Sequence, residues 1–345
     1  MLDVHNLSPD KVLIIAEAGC NHNGDLELAA RLVDAAAEAG ADAVKFQSFR
    51  PERMITAQAP KAEYQVRATG TAESQYQRLC RLMLSEADHR FLQERCRERR
   101  IVFCSSLFDH ESADLLHRLE VPFFKIPSGE ITNLPLLKHV AALGRPLLLS
   151  TGMSGLGEIE AALNTIAKEG GKDVILLHCV SSYPAAWAEA NLRAIPALKA
   201  AFRLPVGFSD HSLGIELPLV AVALGAVVIE KHLTLDRSLE GGDHRASLEP
   251  GEFGLLVEKI RALGEALGDG VKRCMPSEVE IRRVARKSVV AARAIKKGET
   301  LTRENLILKR PGTGISPHRW EELLGRKAKR DLEADALLSW SDVSG

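Results

Sequence analysis

Val227-Val-Ile-Glu-Lys-His-Leu233 opens on three β-branched residues, carries glutamate, lysine and histidine in its second half, and closes on leucine. The apolar start has no polar alternation, the mark of a strand covered on both faces, as in parallel sheets flanked by helices. Working outward, seven similar runs precede it: Val12 to Ala18, Ala43 to Gln47, Val102 to Ser106, Phe123 to Ser128, Leu147 to Thr151, Val174 to Cys179 and Val206 to Ser209. Longer segments between them repeat apolar residues at helical spacing. Leu26, Ala29, Ala30, Val33, Ala36 and Ala37 share one face, with Gly40 placed to end that helix; Phe253, Leu256, Val257 and Ile260 repeat the pattern in the last one. Eight βα units with doubly covered strands predict a closed (β/α)8 barrel rather than an open sheet, over residues 1–270.

Beyond Gly268 the pattern changes. A charged, helix-prone stretch, Pro276 to Lys287, reads as part of a linker over 271–287, and a second small domain is expected over 288–345. Within it the segment Ala294 to Leu306 echoes Asp331 to Val343, with Ile295 and Leu332 in register, which suggests internal pseudo-symmetry. A module this small is marginal alone and is expected to pack on the barrel or on a second subunit.

The 345 residues hold 45 Lys+Arg against 46 Asp+Glu, a formal charge of -1, so no global field favours nucleic acid or an anionic membrane. No basic segment followed by an apolar run stands at the start, and nowhere do about 18 uncharged apolar residues stand together, so a cytoplasmic location is expected. The six cysteines show no CxxC spacing and read as reduced thiols.

The last residues of the predicted strands are mostly polar or ionisable: Glu17; Lys45 and Gln47; Ser105 and Ser106; Lys125, Ser128 and Glu130; Ser150 and Thr151; His178; Ser209, Asp210 and His211; Glu230, Lys231 and His232. Active sites of this architecture gather at the C-terminal mouth, so these ends predict one pocket. Surfaces are polar anyway, which accounts for scattered Ser and Thr. It does not account for Lys45 and Lys125 inside VKFQ and FFKIPSGE, because buried unpaired lysine is rare. With the hydroxyls of Ser106, Ser128 and Thr151, the lysines suit a small substrate carrying phosphate and carboxylate; either could instead form a Schiff base, as aldolases do. His211 and His232 end adjacent strands beside Asp210 and Glu230, suitable for a divalent ion, manganese or magnesium, in an oxygen-rich shell.

IAEAGCNHNG (Ile15 to Gly24), VKFQ (Val44 to Gln47), FKIPSGE (Phe124 to Glu130), LSTGM (Leu149 to Met153), LHCVSSYP (Leu177 to Pro184), GFSDHS (Gly207 to Ser212), EKHLT (Glu230 to Thr234) and KRPGTG (Lys309 to Gly314) follow one another along the chain. Together they resemble the N-acetylneuraminate synthase family, with its legionaminate and pseudaminate relatives. The resemblance implies a transferase that condenses phosphoenolpyruvate with N-acetylmannosamine or a related N-acyl hexosamine; a diacetamido-trideoxyhexose acceptor, or a pyruvate aldolase or lyase on the same barrel, are the alternatives. It implies that Lys45, Ser106, Lys125, Ser128 and Thr151, with Ser181 and Ser209, hold the enol phosphate. His211 and His232 resemble the manganese ligands and Glu17 the acidic residue near that ion. Gln47, Glu130, Tyr183 and Asp243 resemble residues around the open-chain sugar. Ser288 to Gly345 resembles the antifreeze-like (SAF) domain, which in this family crosses within a domain-swapped homodimer, so that Arg310 would meet the sugar's N-acyl group. The chain departs from common family residues at Ser106, Pro127, Ser181, Ser182 and Gly242; SDHS followed by DHRASLEP resembles the sialate and legionaminate branch more than the pseudaminate branch.

Overall fold

In a computed structural model, which describes residues 7–8, 11–60, 66 and 73–344, the eight runs become β1 Leu13–Gly19, β2 Ala43–Ser48, β3 Val102–Leu107, β4 Phe124–Ile126, β5 Leu147–Ser150, β6 Val174–Cys179, β7 Val206–Asp210 and β8 Val228–His232. They close a parallel barrel in sequence order, β8 pairing back onto β1. The first helix, Leu26–Glu38, starts where the Asp25 side chain accepts from Glu27 N (2.8 Å) and Leu28 N (3.2 Å), satisfying amides that have no partner inside the helix. It buries Ala29, Ala30, Leu32, Val33, Ala35 and Ala36 and turns off at Gly40, whose φ of +82° favours glycine.

Side chains alternate across each strand, and this parity builds the site. Leu13, Ile15, Ala43, Cys104, Phe123, Leu148, Ile175, Leu177 and Val228 belong to one apolar cluster, the plug inside the barrel. Their strand neighbours Ile14, Ala16, Val44, Phe46, Phe103, Phe124, Leu149, Leu176, Phe208 and Ile229 belong to another, together with the surrounding helices. Continuing the inward parity past the plug reaches Glu17, Lys45, Gln47, Ser106, Lys125, Ser150, Cys179, Ser209, Glu230 and His232. The barrel interior thus changes from apolar to polar in its top layer.

The first compact unit runs over Met1–Asp269 and the second over Gly270–Gly345. The stretch expected as a linker carries a 3-10 turn at Pro276–Glu278 and a helix at Val279–Ala285, and belongs to the second unit. There β9, Ser288–Ala291, pairs antiparallel with β10, Leu306–Lys309, and β11, Lys327–Ala328, with β12, Val343–Ser344. The sequence echo is physical. Ile295 and Leu332, both buried, exchange backbone hydrogen bonds of 2.8 Å each way. Gly298 and Asp335, at the same offset, both take positive φ. The Asn305 side chain accepts from Thr302 N and the Asp342 side chain from Ser339 N, each at 2.8 Å. Two matching turns therefore close over one core, which includes Val289, Leu301, Leu306, Leu323, Leu338 and Val343.

Candidate active site

Strand register sets the inward polar residues side by side. Glu17 lies opposite both Lys45 and His232, Gln47 opposite Ser106, Ser106 opposite Lys125, and Ser209 opposite Cys179 and Glu230. All of these except Gln47 are buried, and all line one cavity at the mouth.

Four charges form its floor. Lys45 is ion-paired with Glu17, donates to Ser106 Oγ at 2.7 Å, and stands 3.8 Å from Glu230. Lys125 donates to Ser150 Oγ at 2.8 Å and also stands 3.8 Å from Glu230, which accepts from Ser209 Oγ at 2.8 Å. Glu17 further accepts from Gln47 Nε2 at 3.2 Å. Two lysines and two carboxylates compensate one another where an isolated buried charge would be prohibitive. Burial pushes the two carboxylates up, but the neighbouring Lys125 and Lys45 overcome it at Glu230 and hold that group down at about 2. At Glu17 burial prevails over Lys45, and its carboxyl titrates above the ordinary range. Burial lowers Lys125, whereas Glu17 and Glu230 outweigh burial at Lys45 and raise it.

Beside this floor, β4, β5 and β6 end in a cluster of small residues. Ser128 Oγ accepts from Gly152 N at 3.0 Å and lies 3.1 Å from Cys179 Sγ. A Cβ on Gly152 would stand 2.4 Å from Ser181 Oγ, 2.8 Å from Ser128 Oγ and 2.9 Å from Cys179 Sγ. Gly152 thus leaves room for two hydroxyls, a neutral cradle that lines the same cavity as the two lysines. Gly152→Ala is expected to weaken binding of a phosphate-bearing substrate by about tenfold or more, since the displaced hydroxyls lose their hydrogen bonds to it. Titration with phosphoenolpyruvate, the ligand that the sequence resemblance implies, checks this; unchanged affinity with an unchanged thermal transition would remove the cradle from the site.

On the other side, the rings of His211 and His232 lie 5.4 Å apart between centroids, with Tyr183 4.2 Å from His211. Val180 O holds His211 Nδ1 at 2.8 Å. His232 Nδ1 is buried without a hydrogen-bond partner among the described residues. Burial, then the neighbouring His232, lowers His211 to about 3, so its imidazole is neutral. Behind them Lys231, fully buried, binds Asp210 and Ser212 O, and Asp210 accepts from Ser212 N at 2.9 Å. This pair clamps the turn that carries His211.

Of the residues singled out in the sequence, Glu17, Lys45, Gln47, Ser106, Lys125, Ser128, Ser181, Tyr183, Ser209, His211, His232 and Asp243 line this cavity. Thr151 and Glu130 do not. The Thr151 hydroxyl donates to Leu177 O at 3.1 Å, closing β5 against β6, and Glu130 accepts from Asn133 Nδ2 at 2.7 Å, its carboxyl raised by partial burial. Arg310 belongs to the second unit, where Ser288 Oγ donates to Pro311 O at 2.7 Å and anchors its loop. The predicted strand ends split by parity: Ser105, His178, Asp210 and Lys231 do not line the cavity. Ser105 joins a buried chain to Ser48 and His89, and His178 bonds Ala190 O at 2.8 Å. Gln75 and Arg78 also line the cavity and were not anticipated, because they come from the helix Gln75–Leu82 in the β2 to β3 connection. The only hint in the sequence is an arginine set among apolar positions of a short amphipathic pattern.

Known proteins resemble this chain along nearly its whole length. The NeuB family profile matches residues 32–272 and the SAF domain profile residues 286–344. N,N'-diacetyllegionaminic acid synthase of Campylobacter jejuni is 51% identical over 95% of this chain and 99% of its own length, and the Legionella pneumophila protein of the same name 46% identical over 96% and 94%. The crystal structure of N-acetylneuraminic acid (sialic acid) synthetase from Leptospira borgpetersenii, in complex with citrate, superposes with a TM-score of 0.72 at 38% identity, covering 81% of this chain and 94% of that one. With a barrel mouth of this composition and a family match across most of its length, the chain belongs to the NeuB family and ends in a SAF domain.

Proposed function

We propose that this enzyme condenses phosphoenolpyruvate, an N-acylated hexosamine and water into a nine-carbon 2-keto sugar acid and phosphate, and that its acceptor is the di-N-acylated hexosamine leading to a legionaminate-type product. N-acetylmannosamine stood first on sequence alone; the relatives at 51% and 46% identity favour the diacylated alternative. The observation that carries the reading is one cavity holding two buried lysines beside a pair of adjacent imidazoles.

Carbon 3 of the enol phosphate attacks the acceptor aldehyde, forming the carbon-carbon bond and leaving positive charge at carbon 2. Water adds there, and the tetrahedral centre expels phosphate by breaking the carbon-oxygen bond. Lys45 and Lys125 hold the anionic substrate and the charge that departs with phosphate. Ser128 and Ser181, across Gly152, donate to phosphate oxygens. Glu17 Oε1, beside Gln47, is placed to take the proton released as water adds. Glu230, held ionised by both lysines, keeps them charged.

His211 and His232 fit a divalent metal: two adjacent imidazoles, one with an orphaned ring nitrogen, and among the described residues no third His, Cys, Asp or Glu converging with them. Water or substrate oxygen would complete the shell. Such an ion, manganese or magnesium, supplies Lewis acidity toward the aldehyde oxygen.

A panel of mono- and di-N-acyl hexosamines, assayed with the enol phosphate and manganese, tests the proposal. Phosphate release is expected to be fastest with a diacylated acceptor, and oxygen-18 in the bridging position should leave with phosphate. Label retained in the sugar acid, or turnover with pyruvate in place of the enol phosphate, would sink it.

A further inference from the structure

Arg78 is only 6% exposed, and its guanidinium has no hydrogen-bond or ion-pair partner among the described residues. Arginine cannot escape burial by losing its proton, so a buried guanidinium normally carries a partner. One turn earlier on the same face stands Gln75, whose Oε1 is buried and likewise without a partner. A guanidinium with no protein partner among the described residues and a buried acceptor without one thus line the same cavity, as do the apolar side chains of Met54, Leu79 and Phe108.

The helix that bears both is fixed. Ser74 and Gln77 form its capping box, and Leu79 and Leu82 bury its inner face. Arg81 is spent on Glu73 at 3.2 Å and on Asn23 O at 3.2 Å, so it cannot join Arg78 in binding an anion. Glu73 and Glu240 line a second space that Arg78 also borders, and Asp243 lines the main cavity with it. A phosphate here would find a single guanidinium beside an acceptor oxygen, with the Asp243 carboxylate in the same cavity. A secondary amide meets its complement: Arg78 for the carbonyl oxygen, Gln75 Oε1 for the N–H, and an apolar wall for the acyl methyl.

We infer that Arg78 and Gln75 form a recognition site for a second N-acyl group of the acceptor sugar and so select a doubly acylated hexosamine over a singly acylated or phosphorylated one. The inference rests on the condensation proposed above. The test compares two acceptors that differ only in carrying a second N-acyl group or a hydroxyl. Arg78→Met should raise KM for the diacylated acceptor by about 30-fold and Gln75→Leu by about fivefold, while the singly acylated acceptor changes by less than about twofold. Turnover number should stay within about threefold, and enol phosphate affinity, titrated without acceptor, should be unchanged, which also certifies an intact mouth. Equal losses for both acceptors would overturn the assignment, as would a 6-phosphorylated hexosamine bound more tightly than the diacylated one by the unmodified enzyme. If the unmodified enzyme releases no phosphate with any N-acyl hexosamine, the condensation itself fails and the assignment falls with it.

Discussion

Alanine at both His211 and His232 is expected to lower phosphate release by at least about a thousandfold while leaving the enzyme folded. Little stability is at stake. His232 Nδ1 makes no hydrogen bond among the described residues, and His211 gives up one, to Val180 O, together with its contact to Tyr183. The expected cost is about 1–3 kcal/mol, a shift of a few degrees in the thermal transition for a chain this long. Function should collapse because no other side chains lining the cavity pair two imidazoles, and histidine at either position alone offers a single ligand. Manganese titration by calorimetry gives a readout independent of turnover: the unmodified enzyme should bind one ion and the double variant none. Undiminished phosphate release from the double variant in excess chelator would remove the metal from the proposal.

The fold was legible because the strands are apolar on both faces, a property that local sequence displays directly. The mouth was less so. Glu230 and Lys231 are neighbours, both ionisable and both buried, yet one contributes to the charge network and the other clamps the back of the His211 turn. Only inward parity separates them, and it becomes usable once Val228 is known to sit in the barrel plug. The same parity removes Ser105 and His178 from the mouth while retaining Ser106 and Cys179. Thr151 is a different case: its position at the end of β5 was read from the sequence, but whether a hydroxyl faces a ligand or a backbone carbonyl depends on the gap to β6, here 3.1 Å to Leu177 O. Gln75 and Arg78 could not be located at all, since they reach the cavity from a connection whose path over the mouth is set by tertiary packing of Leu79 and Leu82. In the second unit, by contrast, a weak echo sufficed, because each repeat supplies the other's hydrogen-bonding partner.

Lys125→Met should weaken enol phosphate binding by about 10- to 100-fold and leave acceptor KM, measured at saturating enol phosphate, within about threefold. The split follows from where the ammonium lies: against Ser150 Oγ of β5 and within 3.8 Å of Glu230 of β8, on the barrel floor, whereas Arg78 and Gln75 come from a helix outside the barrel strands. Methionine keeps much of the stem's volume and removes only the charge. Glu230 would then rely on Lys45 alone, so its pKa should rise above about 2, and part of the loss would reflect that rearrangement. Lys125 also meets the requirement for a rival chemistry, because burial lowers its pKa and a desolvated lysine can attack a ketone. Its surroundings oppose that use: the ammonium is already held by a hydroxyl at 2.8 Å and sits 3.8 Å from a carboxylate held ionised, both of which favour the protonated form. Incubation with pyruvate and borohydride decides between the two. No mass increment on Lys125, together with the loss of enol phosphate affinity in the methionine variant, is the expected result; a reduced adduct at that lysine would make it a Schiff-base former and reassign the reaction to an aldolase.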